Sequence, residues 1–395
     1  MKAYTCKKDI VSAKPIIADD MMLTTDMPTA AGSKMLDGYM SLIESEALTR
    51  AKNAGYALVG KAEVGEFAID LLGETSYNGA LAVDGKLKNA SAEILKSGDA
   101  KAAICLDVNG YVRRAAAQNG LVSVKPTYGT VSRYGTVPVA CSGECVSVMA
   151  VNVAECRELL AAIAGHDAKD GTSLSEELCA SVKVKGAELR RVAILTSMKK
   201  GIDADVEAKI EGAKAALENS GVEVVEIEDE VIASARAAWN ILMSSELCNN
   251  VSRYDGVKYG HRAQNFFGID ELYTNSRTEA FGLLLKKAIL FGSDNLSTES
   301  YMKVYDKALR VRRVIVERFA KIFGEFDAVI MPACSAMSYA EDISPEMAYV
   351  ENFYTAPASV SGLPAVVVGG VQLVGKAFSE GMLLAAAEIL EKEGK

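Results

Sequence analysis

Any chemistry in this chain must be built from a short supply of reactive side chains. There are only two histidines, His166 and His261. His-rich metal sites and Ser-His-Asp schemes therefore have little to build on. The eight cysteines are Cys6, Cys105, Cys141, Cys145, Cys156, Cys179, Cys248 and Cys334. Only Cys141 and Cys145 lie close together, and a C-x3-C spacing without a second ligand pair is a poor zinc signal. They read as scattered, reduced, small hydrophobic residues, and no metal site is predicted. No G-x-G-x-x-G follows a strand. Gly60-Lys61 is followed by Ala62 rather than Ser or Thr, so a phosphate-cradling loop is not supported. No cofactor is predicted.

The 395 residues give ample material for one large domain or two medium ones. Half are hydrophobic and 24% charged, with a net charge of −9. That balance argues against direct nucleic-acid binding, which needs clustered Lys and Arg. No apolar run approaches the roughly 18 residues of a spanning helix, so no membrane association is expected. Met1 to Met22 lacks a basic start followed by an apolar segment, which argues against a signal peptide and for the cytoplasm.

The elements that must position any site alternate. Ser41 to Ala54 reads as an amphipathic helix closed by Gly55, followed by a short strand from Tyr56 to Val59. Arg191–Thr196, Asp203–Ser220 and Val222–Ile227 read as strand, helix and strand. Such a crossover implies parallel pairing. Phe326–Met331 is a further strand ended by Pro332, and Ser297–Phe323 is a long helix with a basic and an apolar face. No repeat or linker interrupts the chain. The expectation is one α/β domain over residues 1–395, with a mixed central sheet covered by helices on both sides.

Seven segments carry a more specific signal. They are Gly60–Ala68 (GKAEVGEFA), Val124–Gly135 (VKPTYGTVSRYG), Ala164–Ser173 (AGHDAKDGTS) and Arg253–Gly260 (RYDGVKYG), then Glu271–Gly282 (ELYTNSRTEAFG), Ser361–Pro364 (SGLP) and Gln372–Phe378 (QLVGKAF). In this order they resemble the amidase signature family, most closely the A subunits of glutamyl-tRNA(Gln) amidotransferase. On that resemblance the family's helical N-terminal region is absent, and the connection between Val368 and Val371 is shortened.

The resemblance implies amide cleavage by acyl transfer. A Ser nucleophile attacks, a second Ser relays its proton to a neutral Lys, and backbone N–H groups of a glycine-rich loop hold the oxyanion. Ungapped counting from the flanking motifs locates these positions. The nucleophile pattern D-T-G-G-S-I-R falls on Asp107–Arg113 and places Tyr111 at the nucleophile. The relay pattern falls on Gly85–Ala90 and places Leu87 at the relay. The K-D-N pattern falls on Asp19–Met21 and places Asp19 at the base. Lys86, Asn89, Ala90 and Asn109 replace loop glycines, and Gly110 remains.

Leu87 cannot pass a proton. Tyr111 has an ordinary pKa of about 10 and no Lys to activate it, and an ordinary Asp of about 4 is a weak base. The family's anchors for a zwitterionic substrate fall on Asn352 and Ala288, so both charged partners are lost. Glu351 is adjacent to Asn352 but points elsewhere if that segment is extended. The former pocket is thus expected at Tyr111, Asn109, Gly110, Asn352 and Ala288, filled by side-chain bulk.

The expected role is a pseudoenzyme: a binding or scaffolding subunit paired with B- or C-like amidotransferase subunits, or with itself. One alternative is an active amidase or glutaminase-type subunit supplying ammonia for tRNA-dependent amidation, using another nucleophile. A second is a small-molecule sensor built on the remodelled pocket.

Overall fold

A computed structural model describes residues 3–182, 186 and 188–393, and the side chains of all of these but the last. Among them, eleven strands form one mixed sheet in the order β1-β3-β2-β6-β8-β7-β12-β13-β11-β9-β10. The strands are β1 Tyr4–Lys7, β2 Pro15–Asp19, β3 Ala57–Ala62, β6 Ala102–Asp107, β7 Val122–Lys125, β8 Cys145–Ala150, β9 Arg191–Leu195, β10 Glu223–Ile227, β11 Ala328–Pro332, β12 Ala365–Val368 and β13 Val371–Gly375. A separate two-stranded ribbon joins β4 Ala82–Val83 to β5 Lys86–Leu87. Helices flank the large sheet, so its central strands are apolar without alternation. All six residues of β6 and of β8 are buried.

The strand-helix-strand expectation holds. β9 and β10 pair in parallel, joined by the helix Ala204–Asn219. That helix starts at Asp203, whose carboxylate accepts the Val206 N–H, and stops before Gly221 at φ +84°. The early helix is α1, Glu46–Asn53, and the strand after it is β3. The long basic helix starts later than the sequence pattern suggests. It is α-helical from Asp306 to Ile322, preceded by a wider turn at Tyr301–Tyr305. Upstream, the Ser297 hydroxyl accepts the Ser300 N–H, a local bond that competes with helical pairing. β12 and β13 are joined by Gly369-Gly370 alone, both at positive φ, as a two-residue hairpin requires.

Two parallel neighbours organise the rest. β2 pairs with β6 with Ala18 opposite Ile104, which sets Asp19 beside Cys105. β6 ends at Asp107, and a three-residue turn leads into α3, Tyr111–Asn119. Arg113, one turn into α3, is fully buried. Its guanidinium donates to Asp107 Oδ2 (2.7 Å), the Thr355 carbonyl (2.8 Å), Gln372 Oε1 (3.0 Å) and Ser359 Oγ (2.7 Å). One cation therefore ties β6, α3, the helix Ala356–Ser361 and β13 together. Replacing it with Met should cost about 3–5 kcal/mol, because a buried carboxylate and three further acceptors lose their donor. Urea unfolding of Arg113→Met against the parent checks this.

Candidate functional site

The turn between β6 and α3 sits at the carboxyl end of parallel strands, where open α/β sheets place their ligand sites. Here it is closed. Tyr111 is the first residue of α3 and Gly110, at φ +85°, its N-cap. The Tyr111 hydroxyl donates to Asp19 Oδ2. The same oxygen accepts the Leu106 N–H at 2.7 Å, and Oδ1 accepts the Met21 N–H at 3.2 Å. The counted base and nucleophile positions thus meet directly, as a carboxylate and a phenol. Tyr111 is 2% exposed and Asp19 0%.

Burial raises the Asp19 carboxyl from 3.8 to about 6, against the pull of the Tyr111 hydroxyl and the two backbone donors. Burial, and then the Asp19 charge, push the Tyr111 phenol well above its ordinary value. The phenol is therefore protonated and serves as a hydrogen-bond donor to Asp19.

Cys105, which sequence reasoning set aside, touches this pair. Its thiol interacts with Asp19, Tyr111 and Ser91, and burial pushes its pKa well up. The β2–β6 register that places it there is not readable from spacing along the chain.

Asn109 closes the second side. Its Oδ1 accepts Asn352 Nδ2 at 2.8 Å and Trp239 Nε1 at 3.2 Å, and its Nδ2 donates to the Ile69 carbonyl at 2.9 Å. Asn352 also donates to Asn240. The expected pocket residues Asn109 and Asn352 are thus brought together, with Trp239 and Asn240 as members the sequence did not signal. Gly110 is retained for a visible reason besides its φ: a Cβ there would fall 2.2 Å from Thr355 Oγ1. Ala288 is buried on the helix Leu283–Asn295, without a charge to offer a substrate. Glu351 lies in a short helix rather than an extended segment. Its carboxylate accepts the Ser335 N–H (2.9 Å) and the Tyr339 hydroxyl (2.6 Å).

The segment counted as the relay loop is bonded as ordinary backbone. Leu87 is buried in β5, and its N–H donates to the Tyr339 carbonyl at 2.9 Å. The Lys88 N–H donates to the Leu81 carbonyl at 2.8 Å. Asn89 caps α2, Ala90–Ser97, by accepting the Ala92 N–H, and donates to the Leu72 carbonyl. The Gly110 N–H donates to Asp107 Oδ1 at 2.8 Å. In the turn that the resemblance makes the glycine-rich loop, the Gly110 N–H is thus spent on an internal partner.

The retained motifs are structural in their contacts. Lys61 lies buried inside β3 and pairs with Asp20 at 2.7 Å, while donating to Thr29 Oγ1 and the Pro28 carbonyl. Lys125 is fully buried and donates to the Leu363 carbonyl. Arg133 pairs with the buried Glu144 at 2.8 Å. Gly135 approaches Ser45 so closely that a Cβ would lie 2.5 Å from its Cα. Among the described residues, no group of three or more His, Cys, Asp or Glu side chains is placed to hold a metal ion. Cys105, Cys145, Cys156 and Cys334 are buried thiols.

Glu66 is another buried carboxyl. Glu66 accepts Ser33 Oγ (2.7 Å) and the Gly282 N–H (2.8 Å), and burial raises it from 4.5 to about 7. For both Asp19 and Glu66 the folded pKa exceeds the unfolded one, so the folded state holds the extra proton. The stability each contributes is complete below the unfolded value and is lost as pH rises through the folded one. Stability should therefore fall by up to about 3 kcal/mol per group between about pH 4 and about pH 8. Urea midpoints across that range measure the slope, and Asp19→Asn should flatten it near pH 6.

Tyr111→Phe removes a donor from the buried Asp19, at an expected cost of about 1.5–3 kcal/mol. It should also move the titration of Asp19 to higher pH, since that hydroxyl lowers its pKa. Unfolding curves and an NMR titration of the carboxyl read the two effects separately.

Comparison with known proteins places these features. The profile of the amidase family, described as "Amidase", matches residues 91–384. The glutamyl-tRNA(Gln) amidotransferase A subunit of Streptococcus pneumoniae is 33% identical over 405 aligned positions, covering 97% of this chain and 83% of that protein. The protein of the same name from Acinetobacter baumannii is 34% identical over 394 positions, covering 94% and 80%. Among solved structures, the glutamyl-tRNA(Gln) amidotransferase A subunit from Thermotoga maritima superposes with a TM-score of 0.81 at 26% identity, covering 99% of this chain and 87% of that one.

Proposed function

The chain belongs to the amidase signature family, and from that membership we propose that it is an A-subunit-like protein whose amide-cleaving site has been converted into core. It acts as a binding or scaffolding subunit in the cytoplasm. The observation that carries this reading is the Tyr111–Asp19 contact: the positions counted as nucleophile and base meet, bond to each other and are shut off from solvent. A buried phenol held in its protonated form by a neighbouring carboxylate lacks the nucleophilicity that amide attack needs. Leu87 at the relay position and the Gly110 N–H bonded to Asp107 support the same reading.

The partner class follows from the relatives, which are named as subunits. Amidotransferase B- or C-like subunits, or a second copy of this chain, are the proposed partners. An exposed apolar strip is available to them. It comprises Leu283, Leu290 and Phe291 along one helix, and Phe266, Phe267 and Ile269 at the start of the helix before it are exposed as well. Apolar area gathered in this way on a surface marks interaction sites more often than chance exposure. No described helix is long and apolar enough to cross a membrane.

Purified protein should release no ammonia from glutamine, asparagine or simple aliphatic amides above the rate of a heat-denatured control. Ammonia release that disappears in Tyr111→Phe would restore an enzymatic reading. Affinity purification from the native cytoplasm should recover an amidotransferase-type subunit or a second copy of this chain, and Leu290→Glu should weaken that recovery.

A further inference from the structure

A cleft of about 570 Å³ opens at the end of the sheet opposite the closed turn. Its place follows from the register. Val122 begins β7 and pairs with Ala150, the last residue of β8, which pairs in turn with Ala102 at the start of β6. The cleft is thus one strand length, about 20 Å, from Asp107. The helix Ala204–Asn219 and the tight β12–β13 hairpin form two of its walls. Its volume lies within the roughly 300–1,000 Å³ of small-molecule sites.

Three observations say what would fit. First, the helix wall offers only Ala208, Gly212, Ala213 and Ala216, apart from Lys209. Gly212 lies inside a sixteen-residue helix, where glycine costs about 1 kcal/mol relative to alanine. A Cβ there would meet nothing within 4 Å, so no packing within the chain requires the glycine. Second, the remaining walls are mainly aliphatic, with Val122, Val151, Val368 and Leu390 among them, and Val151 is 37% exposed. Third, the charges are uneven. The Glu391 carboxylate already accepts the Val153 N–H at 3.0 Å. Lys209 lays its stem over Gly370, where a Cβ would come 3.0 Å from its Cγ, and its ammonium enters no ion pair among the described residues. One free cation with a carboxylate nearby suits a monoanion, whereas a phosphoryl group would bring a second charge towards Glu391.

We propose that this cleft binds a small monocarboxylate with an unbranched aliphatic chain, the chain lying along the valine walls against Gly212 and the carboxylate at Lys209. The site is independent of the closed turn and of whether the protein has amidase activity.

Octanoate is the probe, measured by calorimetry and by the rise in unfolding temperature that a ligand specific for the folded state produces. It should bind the parent chain with one-to-one stoichiometry. Gly212→Leu should weaken it by about ten-fold or more, with Gly212→Ala between the two. The unliganded Leu variant should melt no lower than the parent, since leucine is the better helix former. If it fails to fold, Ala208→Leu blocks the same wall from an exposed helical position. Lys209→Met should remove the preference for octanoate over octan-1-ol. Failure of octanoate to bind at millimolar concentration overturns the proposal. So does binding that survives both the Gly212 and the Ala208 substitutions, or a preference for octyl phosphate over octanoate.

Discussion

The buried guanidinium of Arg113 is the constraint around which this molecule is arranged. A charge that cannot leave the interior must be met on every side. Four acceptors from three stretches of chain meet it: Asp107, Thr355 with Ser359, and Gln372. Asp107 in turn holds the Gly110 N–H and so shapes the turn into α3. The segment between Asp107 and Arg113 is thereby fixed at both ends, whatever side chains stand between them.

The side chains at the counted positions are chemically consistent with one another. A nucleophile–relay–base system needs hydroxyls and a neutral amine facing a cavity. What stands here is a phenol bonded to a carboxylate, a leucine, and an amide network of Asn109, Asn352 and Asn240 capped by Trp239. Tyr111, Asp19, Asn109 and the Asn352 Nδ2 all have partners, as interior polar groups require, while Asn352 Oδ1 is buried without one. The residual electrostatic tension is visible in Asp19 and Glu66, whose carboxyls titrate well above their ordinary range because burial disfavours the charge.

The retained family segments are explained by packing rather than by chemistry. Lys61, Lys125 and Arg133 point inward to carboxylates and carbonyls. Gly110, Gly135 and Gly256 stand where a Cβ would collide with a neighbour, each at positive φ. These residues specify the fold, and a chain can keep them while its reactive groups are lost.

The sequence by itself determined a good deal. Local periodicity and helix caps gave the strand-helix-strand unit of β9 and β10, because those signals act over a few residues. The ordered motifs gave the family, since seven segments in one order are a constraint that extends along the whole chain. Local pattern was weaker at Ser297–Tyr305 and around Glu351, where side-chain bonds to nearby backbone and tertiary partners override propensity. Only the tertiary structure decided that Asp19 and Tyr111 bond to each other, that Cys105 and Trp239 join the closed site, and that a cleft lies beside Gly212. These facts depend on which strands are neighbours and in what register. Such contacts join residues up to 259 positions apart, as between Arg113 and Gln372. The free energy that selects them comes from burial of the whole sheet, which no local stretch of sequence contains.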